Sequence, residues 1–192
     1  GRGEAPEKVA VSSDLGAQLR LQDEAAQLLA DERHRMGALN LDRVEAEAVM
    51  DDGHVSGIET RRKNRATELI ENFMVAANGI TARFLDAHGM ASIRRVVREP
   101  KRWSRIVDIA AEAGGHLPAE PDAAALAEFL RTSRQTQPDR FADLSLSVIK
   151  LLGPGEYVVD LPGQDPPGHF GLAARDYAHS TAPNRRFPDL VT

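Results

Sequence analysis

The chain contains no cysteine among its 192 residues. It therefore has no disulfide, no thiolate chemistry and no cysteine-ligated zinc site. Because a chain without cysteine fits a reducing compartment, we expect a cytoplasmic protein. Long apolar runs are also missing, since Leu144–Leu152 is interrupted by serine and lysine and is far shorter than the ~20 residues of a membrane-spanning helix. No signal peptide with a charged start and an apolar middle is present, so we expect no membrane segment.

An excess of positive charge is lacking as well. The 24 Lys and Arg residues face 29 Asp and Glu residues, for a formal net charge of −5, which argues against a protein that binds nucleic acid over its whole surface. Two local basic clusters depart from this average, at residues 61–65 and 94–105. They either hold a phosphodiester backbone or are ordinary solvated faces, and charge alone favours the second interpretation. Trp103 in the second cluster either stacks on a base or, more often for a lone tryptophan, packs half-buried.

Several common catalytic signatures are absent. The chain has no Gly-x-Ser-x-Gly, no Gly-x-x-x-x-Gly-Lys and no Gly-x-Gly-x-x-Gly, which argues against a hydrolase of the nucleophile-elbow type, a phosphate-loop enzyme and a dinucleotide-binding enzyme. The six histidines are never spaced so that two ring nitrogens share one helical face. We therefore expect no zinc site within the chain.

Hydrophobic periodicity predicts one α+β unit of mixed helices and short antiparallel strands. A chain of this length buries roughly 70% of the surface that its unfolded form exposes, which is enough for a single core. Helices are predicted over residues 14–35, 66–84, 99–113, 121–131 and 139–152. Strands are predicted over 44–50 and 55–60, as a hairpin around the Asp51–His54 turn, and over 91–97, while the loop 153–168 is predicted to hold at most one strand at 157–159. The helix from Ala66 to Phe84 has the most regular apolar stripe and is predicted to be the core helix.

The densest run of unusual chemistry spans residues 169–190. It combines two histidines, several hydroxyl groups and the pair Arg185-Arg186. The pair follows Pro183 at a predicted turn-to-helix junction, where guanidinium groups, free backbone N–H groups and the helix dipole all favour an anion. The alternative is an arginine pair that bridges carboxylates such as Asp189, and the residues alone leave the two interpretations equally open.

This run resembles the late motif of the RNB catalytic domain of the ribonuclease II and ribonuclease R family. The family motif reads His-Phe-Gly-Leu-Ala, then Tyr-x-His, then Thr-Ser-Pro-Ile-Arg-Arg-Tyr-Pro-Asp-Leu. The matching residues are His169–Ala173, Tyr177, His179, Thr181, Pro183, Arg185, Arg186 and Pro188–Leu190. A second stretch, Leu69–Met74 with Ala77-Asn78, is similar to the family's Leu-Ile-Glu-Glu-Phe-Met…Ala-Asn helix. With Gly37–Leu39 included, the resemblance covers nearly the whole chain.

The chain also departs from the family pattern. Asn72 replaces the second Glu, Val97 stands where the family usually has His, and Ala182, Asn184 and Phe187 replace Ser, Ile and Tyr. The family's magnesium-binding aspartates, in the pattern Asp-x-x-x-x-x-Asp-x-Asp-Asp, are not found, and Asp51-Asp52 does not reproduce that spacing. The resemblance therefore implies that residues 1–192 are a partial RNB catalytic domain, truncated at both ends, whose Mg²⁺ ligands lie upstream.

The activity that the resemblance implies is hydrolytic, metal-dependent 3′-to-5′ degradation of single-stranded RNA to nucleoside monophosphates by the full-length protein. This chain alone is expected to be inactive. The competing interpretation is a non-catalytic RNB-like module that binds RNA or another protein.

The resemblance also implies roles for individual residues. Arg185 is the candidate phosphate clamp, Arg186 is a weaker catalytic candidate or a structural residue, and Glu71 resembles the family Glu that orients an aromatic ring, unless it is only a polar helix-edge residue. The candidate RNA-binding residues are His169, Tyr177, His179, Thr181 and Asn78. For His169 and Tyr177 a packed core position is at least as well supported.

Overall fold

A computed structural model describes residues 6–41, 45–61 and 63–192. The described helices and strands follow in chain order as α1 (Glu7–Ala10), α2 (Ser13–Arg35), β1 (Glu45–Asp51), β2 (His54–Arg61), α3 (Arg65–Ala87), β3 (Ser92–Val96), α4 (Trp103–Glu112), α5 (Ala123–Thr136), α6 (Pro138–Leu152), β4 (Glu156–Asp160), a 3-10 helix (Phe170–Leu172) and α7 (Phe187–Val191). The predicted α+β class is confirmed. Within the described residues no helix combines the length and apolarity needed to cross a membrane. The predictions for Val44 and Arg62 lie outside the described residues.

The described strands form two antiparallel pairs. β1 pairs with β2 around a turn at Asp52 and Gly53, whose φ angles of 47° and 79° are left-handed, as a two-residue hairpin turn requires. β3 pairs with the distant β4, with Ser92 opposite Asp160 and Val96 opposite Glu156. The predicted hairpin, the strand near residues 91–97 and the strand at 157–159 are thereby confirmed.

Local capping contacts set helix boundaries that differ from the predicted ones. α2 begins one residue earlier than predicted, because the Ser12 side chain accepts a hydrogen bond from the Leu15 N–H. α4 begins at Trp103 rather than Glu99, since the Trp103 N–H closes a turn on the Pro100 carbonyl at 3.1 Å before the helix starts. α5 begins after Asp122, which caps the Ala125 N–H at 2.9 Å, and it runs beyond the predicted end to Thr136.

The hydrophobic core lies between α4, α5 and α6. Ile106, Leu126 and Val148, one from each of these helices, are 0% exposed, and so is Ala110 of α4. Trp103 is 4% exposed and donates its indole N–H to the Pro118 carbonyl at 2.9 Å. The packing interpretation of Trp103 therefore holds, and base stacking by this ring is wrong.

The prediction that α3 is the core helix is wrong, because the core cluster of described residues contains no residue of α3. Ile70, Ile80 and Phe84 of the apolar stripe of α3 are 64%, 59% and 56% exposed. The buried side of α3 instead carries small and polar residues together with two aliphatic ones, namely Asn72, Val75, Asn78, Gly79, Ala82 and Leu85. The periodicity identified the helix correctly but not the side that packs, because polar partners on α2 and on the 178–180 segment select the other face.

Replacement of Ile106 and of Ile80 by alanine tests where the core lies. We expect Ile106→Ala to lower the free energy of unfolding by about 3 kcal/mol, because it removes a fully buried side chain and leaves a cavity. The matched change Ile80→Ala on the exposed stripe should cost less than about 1 kcal/mol. Urea denaturation of both variants measures the two values, and a larger loss for Ile80→Ala would contradict the assignment.

Candidate functional site

The 168–174 loop is fastened to the end of β3. The Phe170 N–H donates to the Val97 carbonyl at 2.8 Å, and the His169 N–H donates to the Ala174 carbonyl at 2.7 Å. The Leu39 N–H donates to the Gly171 carbonyl at 3.0 Å, which joins the loop to the residues after α2. The loop is thus held on two sides, and it presents His169, Gly171 and Leu172 to a cavity.

Asn78 positions the next segment of the chain. Its side chain is 0% exposed, and its Oδ1 atom accepts hydrogen bonds from the Ser180 N–H at 2.8 Å and the Ser180 hydroxyl at 3.1 Å. On the other side of the segment, the Arg95 N–H donates to the Tyr177 carbonyl at 2.8 Å. A buried amide and a strand edge therefore fix residues 177–180, and in this arrangement the Asn78 side chain has no surface left for RNA.

Four aromatic rings form a row beside this segment. The Tyr177 ring lies edge-on to His169 and His179, at centroid distances of 5.5 and 5.6 Å, and His179 lies 5.7 Å from Tyr157. The Tyr157 hydroxyl and His179 Nδ1 are hydrogen-bonded at 2.9 Å. Tyr177 is 5% exposed, so this ring acts mainly as packing between the two histidines.

Both histidines of the row are neutral near pH 7. Burial lowers the pKa of His169 to about 4, and its Nδ1 accepts a hydrogen bond from the Leu172 N–H at 3.2 Å. Burial, followed by the charge of Arg186, lowers the pKa of His179 to about 4 despite the opposing carboxylate of Asp189. Neutral imidazoles fit hydrogen-bonding or packing roles better than a cationic phosphate contact.

Arg186 is bound by a buried carboxylate. Its Nη2 and Nε atoms donate to Asp189 Oδ2 at 2.7 and 3.0 Å, and the Asp189 side chain is 0% exposed. The same guanidinium donates to the Thr181 hydroxyl at 3.2 Å and lies 3.3 Å from His179 Nδ1. This geometry favours the structural alternative for Arg186 and uses Thr181 and His179 as its partners.

Arg185 is arranged in the opposite way. Arg185 is exposed, and its guanidinium has no hydrogen-bond or ion-pair partner among the described residues. It lines an open cavity of about 970 Å³, whose wall also contains Glu71 and His169. The predicted turn-to-helix junction is confirmed, with α7 beginning immediately after the arginine pair.

Glu71 lies on the same cavity wall, held by two cations. Lys63 Nζ is 2.6 Å from its Oε2 atom, and Arg33 Nη2 is 3.5 Å from its Oε1 atom. Burial raises the pKa of Glu71, but Lys63 and Arg33 together outweigh it and leave that pKa below its usual value. Glu71 therefore stays ionised at neutral pH and presents a fixed acceptor to the cavity.

The cavity combines cationic and apolar walls. Its lining includes the cations Lys63, Arg95 and Arg185, the carboxylate of Glu71, and aliphatic side chains. The aliphatic members are Leu39, Leu41, Val97, Ile149, Leu152 and Leu172. Such a wall suits a ligand with both anionic and apolar parts. The structure thus brings together Arg185, Glu71 and His169 of the predicted site residues. The cavity lining does not include Arg186, Asn78, Tyr177, His179 or Thr181.

The side chains of the basic clusters that the structure describes do not form one cationic surface. Arg94 is 3% exposed and pairs with Asp160, Arg98 pairs with Glu156, and Arg105 lies 3.5 Å from Asp108. In the other cluster, Lys63 pairs with Glu71 and Arg65 pairs with Asp23. Arg95 alone of these residues joins the cavity without a carboxylate partner among the described residues. Sequence reasoning did not single it out, although two consecutive arginines on a strand must point to opposite faces.

The described residues contain no cluster of three or more His, Cys, Asp or Glu side chains that can hold a metal ion. The magnesium that the resemblance implies therefore has no fitting ligand set in this part of the chain.

Comparison with known proteins identifies the class of this domain. A family model for the RNB domain matches residues 2–192, and the chain belongs to this family. Among curated relatives, ribonuclease R 1 of Lactococcus lactis is 33% identical over 180 residues, which cover 90% of this chain and 21% of the relative. The chain thus spans about a fifth of the length of that relative.

Solved structures of RNase R from Mycoplasma genitalium share the fold. The apo form matches with a TM-score of 0.80 and 23% identity, over 93% of this chain and 28% of that chain. The complex with ribose methylated single-stranded RNA matches with the same TM-score, 22% identity and the same coverage.

The low pKa of His169 predicts a pH-dependent stability. Between pH 6.5 and 4 the unfolded chain takes up a proton at this residue while the folded chain does not, so the stability present above pH 6.5 is lost as the pH falls towards 4. His169→Asn keeps a side-chain acceptor for the Leu172 N–H but cannot titrate. On going from pH 7 to pH 5.5, we expect the variant to lose about 1 kcal/mol less unfolding free energy than the wild type.

Urea denaturation at the two pH values measures this difference. Equal losses in both proteins would show that His169 titrates in the folded chain as it does in the unfolded chain.

Proposed function

We propose that this chain is the RNA-binding and phosphate-clamping part of a hydrolytic 3′-to-5′ exoribonuclease, which degrades single-stranded RNA to nucleoside monophosphates. Residues 1–192 would then be a partial RNB catalytic domain within a longer, cytoplasmic protein. The observation that carries the proposal is the unpaired guanidinium of Arg185 on the cavity wall, beside a second arginine that is fully engaged. Membership of the RNB family and the fold shared with an RNase R solved with single-stranded RNA support it.

Arg185 supplies the charge that phosphoryl transfer needs. When a nucleophile attacks a phosphodiester, negative charge grows on the non-bridging oxygens, and a planar guanidinium can donate two N–H groups to them. A guanidinium that is already paired with a carboxylate would lose much of this effect, as Arg186 does. Removal of comparable donors in other enzymes costs ~3–4 kcal/mol of transition-state stabilisation.

Glu71 is proposed to orient a neighbouring group rather than to exchange protons. Its lowered pKa keeps it ionised, which suits an acceptor of hydrogen bonds and not a general acid. Lys63 and Arg33 fix the carboxylate at the cavity wall from two directions. Any group that enters the cavity therefore meets a pre-positioned carboxylate.

Magnesium is proposed as the cofactor, with carboxylates from outside the described residues, since these contain no suitable acidic cluster. Water activation belongs to that part of the protein. The residues of this chain bind the RNA backbone, hold Glu71 ionised and offset charge at the phosphate.

A gel assay with 5′-labelled single-stranded RNA tests the proposal. We expect the 192-residue chain to retain the RNA both with magnesium and with a chelator, and to cleave it in neither. Failure to bind RNA would contradict the proposed interface. A magnesium-dependent ladder would place the metal ligands within this chain, against the assignment above. RNA binding without cleavage by the longest natural form of the protein would favour the non-catalytic module.

Substitution of Arg185 tests the clamp directly. In the longest natural form that contains this chain, we expect Arg185→Ala to lower kcat at least about tenfold while RNA affinity changes only a few-fold, because the contact strengthens in the transition state. Arg105→Ala is the matched control, since Arg105 is exposed and lies near Asp108 away from the cavity lining. Equal losses of kcat and affinity for Arg185→Ala would leave only a binding contact.

A further inference from the structure

Two neighbouring arginines on β3 have opposite environments. Arg94 points into the molecule, and its side chain is 4% exposed. Its Nε atom donates to Asp160 Oδ2 at 2.7 Å, and its Nη2 atom forms an ion pair with the same oxygen at 2.7 Å. Arg95 lies on the other face of the strand and lines the cavity that contains Arg185. Because successive side chains of a strand point to opposite faces, Arg94 is paired inside the molecule while Arg95 faces the cavity.

Arg95 has no carboxylate partner among the described residues, and an aromatic ring holds it instead. Its Cζ atom lies 4.9 Å from the centroid of the Tyr157 ring, within the range of a cation–π contact. Tyr157 is anchored in turn by the hydrogen bond between its hydroxyl and His179. No described residue accepts a hydrogen bond from the Arg95 guanidinium, so its N–H donors are available to an acceptor.

The backbone beside Arg95 leaves room for this arrangement. A Cβ atom on Gly155 would lie 2.6 Å from Arg95 Cζ and 2.9 Å from its Nε atom. These atoms belong to the end of a flexible side chain, so an alanine at this position would displace the guanidinium rather than the fold. The position of Arg95 therefore depends on glycine at 155 and on the ring of Tyr157.

No described carboxylate forms an ion pair with Arg95. Burial is the main cause of the low pKa values of His169 and His179, and the positive charge of Arg95 contributes to both. Both imidazoles are thus neutral, and Lys63 is already paired with Glu71. A half-buried cation in such surroundings attracts an anion from solution.

We propose that Arg95 is a second phosphate-binding residue, which holds a backbone phosphodiester of the RNA other than the one clamped by Arg185. This inference rests on the proposed function. Arg95 and Arg185 reach the cavity from different elements, β3 and the turn before α7, so one RNA strand in the cavity meets both. Because the phosphodiester held by Arg95 is not the one that reacts, this contact contributes to binding rather than to the chemical step.

The salt dependence of RNA binding tests this role. Each phosphate contact with a single strand contributes about 0.7 to the slope of log affinity against log salt concentration. With 5′-labelled single-stranded oligoadenylate and the 192-residue chain, we expect Arg95→Ala to lower the magnitude of that slope by about 0.7. Arg98→Ala is the matched control, because Arg98 pairs with Glu156 and is absent from the cavity lining, and it should leave the slope unchanged.

Three further variants separate a phosphate contact from a loss of folding. Arg95→Lys keeps the charge and should keep the slope, with weaker affinity because the planar fork is lost. Gly155→Ala should lower the slope as Arg95→Ala does while the protein stays folded by circular dichroism. Tyr157→Phe keeps the ring and should bind with the slope of the wild type.

Different results would contradict the role of Arg95 and the proposed function of the chain. If the wild-type chain binds RNA and Arg95→Ala has the same slope of log affinity against log salt concentration, the role of Arg95 is overturned and the proposed function stands. Absence of RNA binding by the wild-type chain would overturn both.

Discussion

The arrangement of the site depends on the hydrogen bonds that the Asp189 carboxylate accepts from Arg186 and from the Ala182 backbone. The Asp189 Oδ2 atom accepts hydrogen bonds from the Ala182 N–H at 2.7 Å and from two nitrogens of Arg186. Burial alone would raise the pKa of Asp189, but the Ala182 N–H and Arg186 outweigh it and hold that pKa below its usual value. One ionised side chain thereby closes the 182–189 turn and engages Arg186, while the neighbouring Arg185 stays unpaired at the cavity.

The rest of the site extends this contact towards β3 and α3. Arg186 approaches His179, His179 holds Tyr157, and Tyr157 supports Arg95. Asn78 fixes the intervening segment from the side of α3. The site is therefore built on buried polar contacts, whereas the apolar core lies apart between α4, α5 and α6. A buried polar network of this kind specifies positions closely, because each unsatisfied member would cost free energy.

The sequence predicted the types of element better than their packing. Hairpin turn residues, apolar periodicity and the glycines after helices located the elements, since these signals are local. The buried face of α3 was not predictable in this way, because it is selected by Arg33 and Ser180, which are distant in sequence and contact Asn72 and Asn78. A polar residue that is buried for the sake of a distant partner looks in sequence like a solvent-facing residue.

The sequence also could not show which arginine of each neighbouring pair faces the cavity. Sequence placed the pair Arg185-Arg186 at a turn before a helix, but which member faces the cavity depends on the spacing of Asp189, one helical turn beyond Arg186. In the sequence, Arg94 and Arg95 belong to one basic cluster. In the structure, Asp160, which is far along the chain, pairs with Arg94 only. A count of charges cannot show such pairing. Of the six basic residues in the segment 94–105, one contributes an unpaired cation to the cavity.

A structure of the protein with a short single-stranded RNA bound in the cavity would test this division of roles most directly. The account predicts phosphate oxygens within hydrogen-bond distance of Arg185 and of Arg95, with Arg186 still bound to Asp189. A phosphate on Arg186 with the Asp189 contact broken, or RNA bound away from both Arg185 and Arg95, would contradict it.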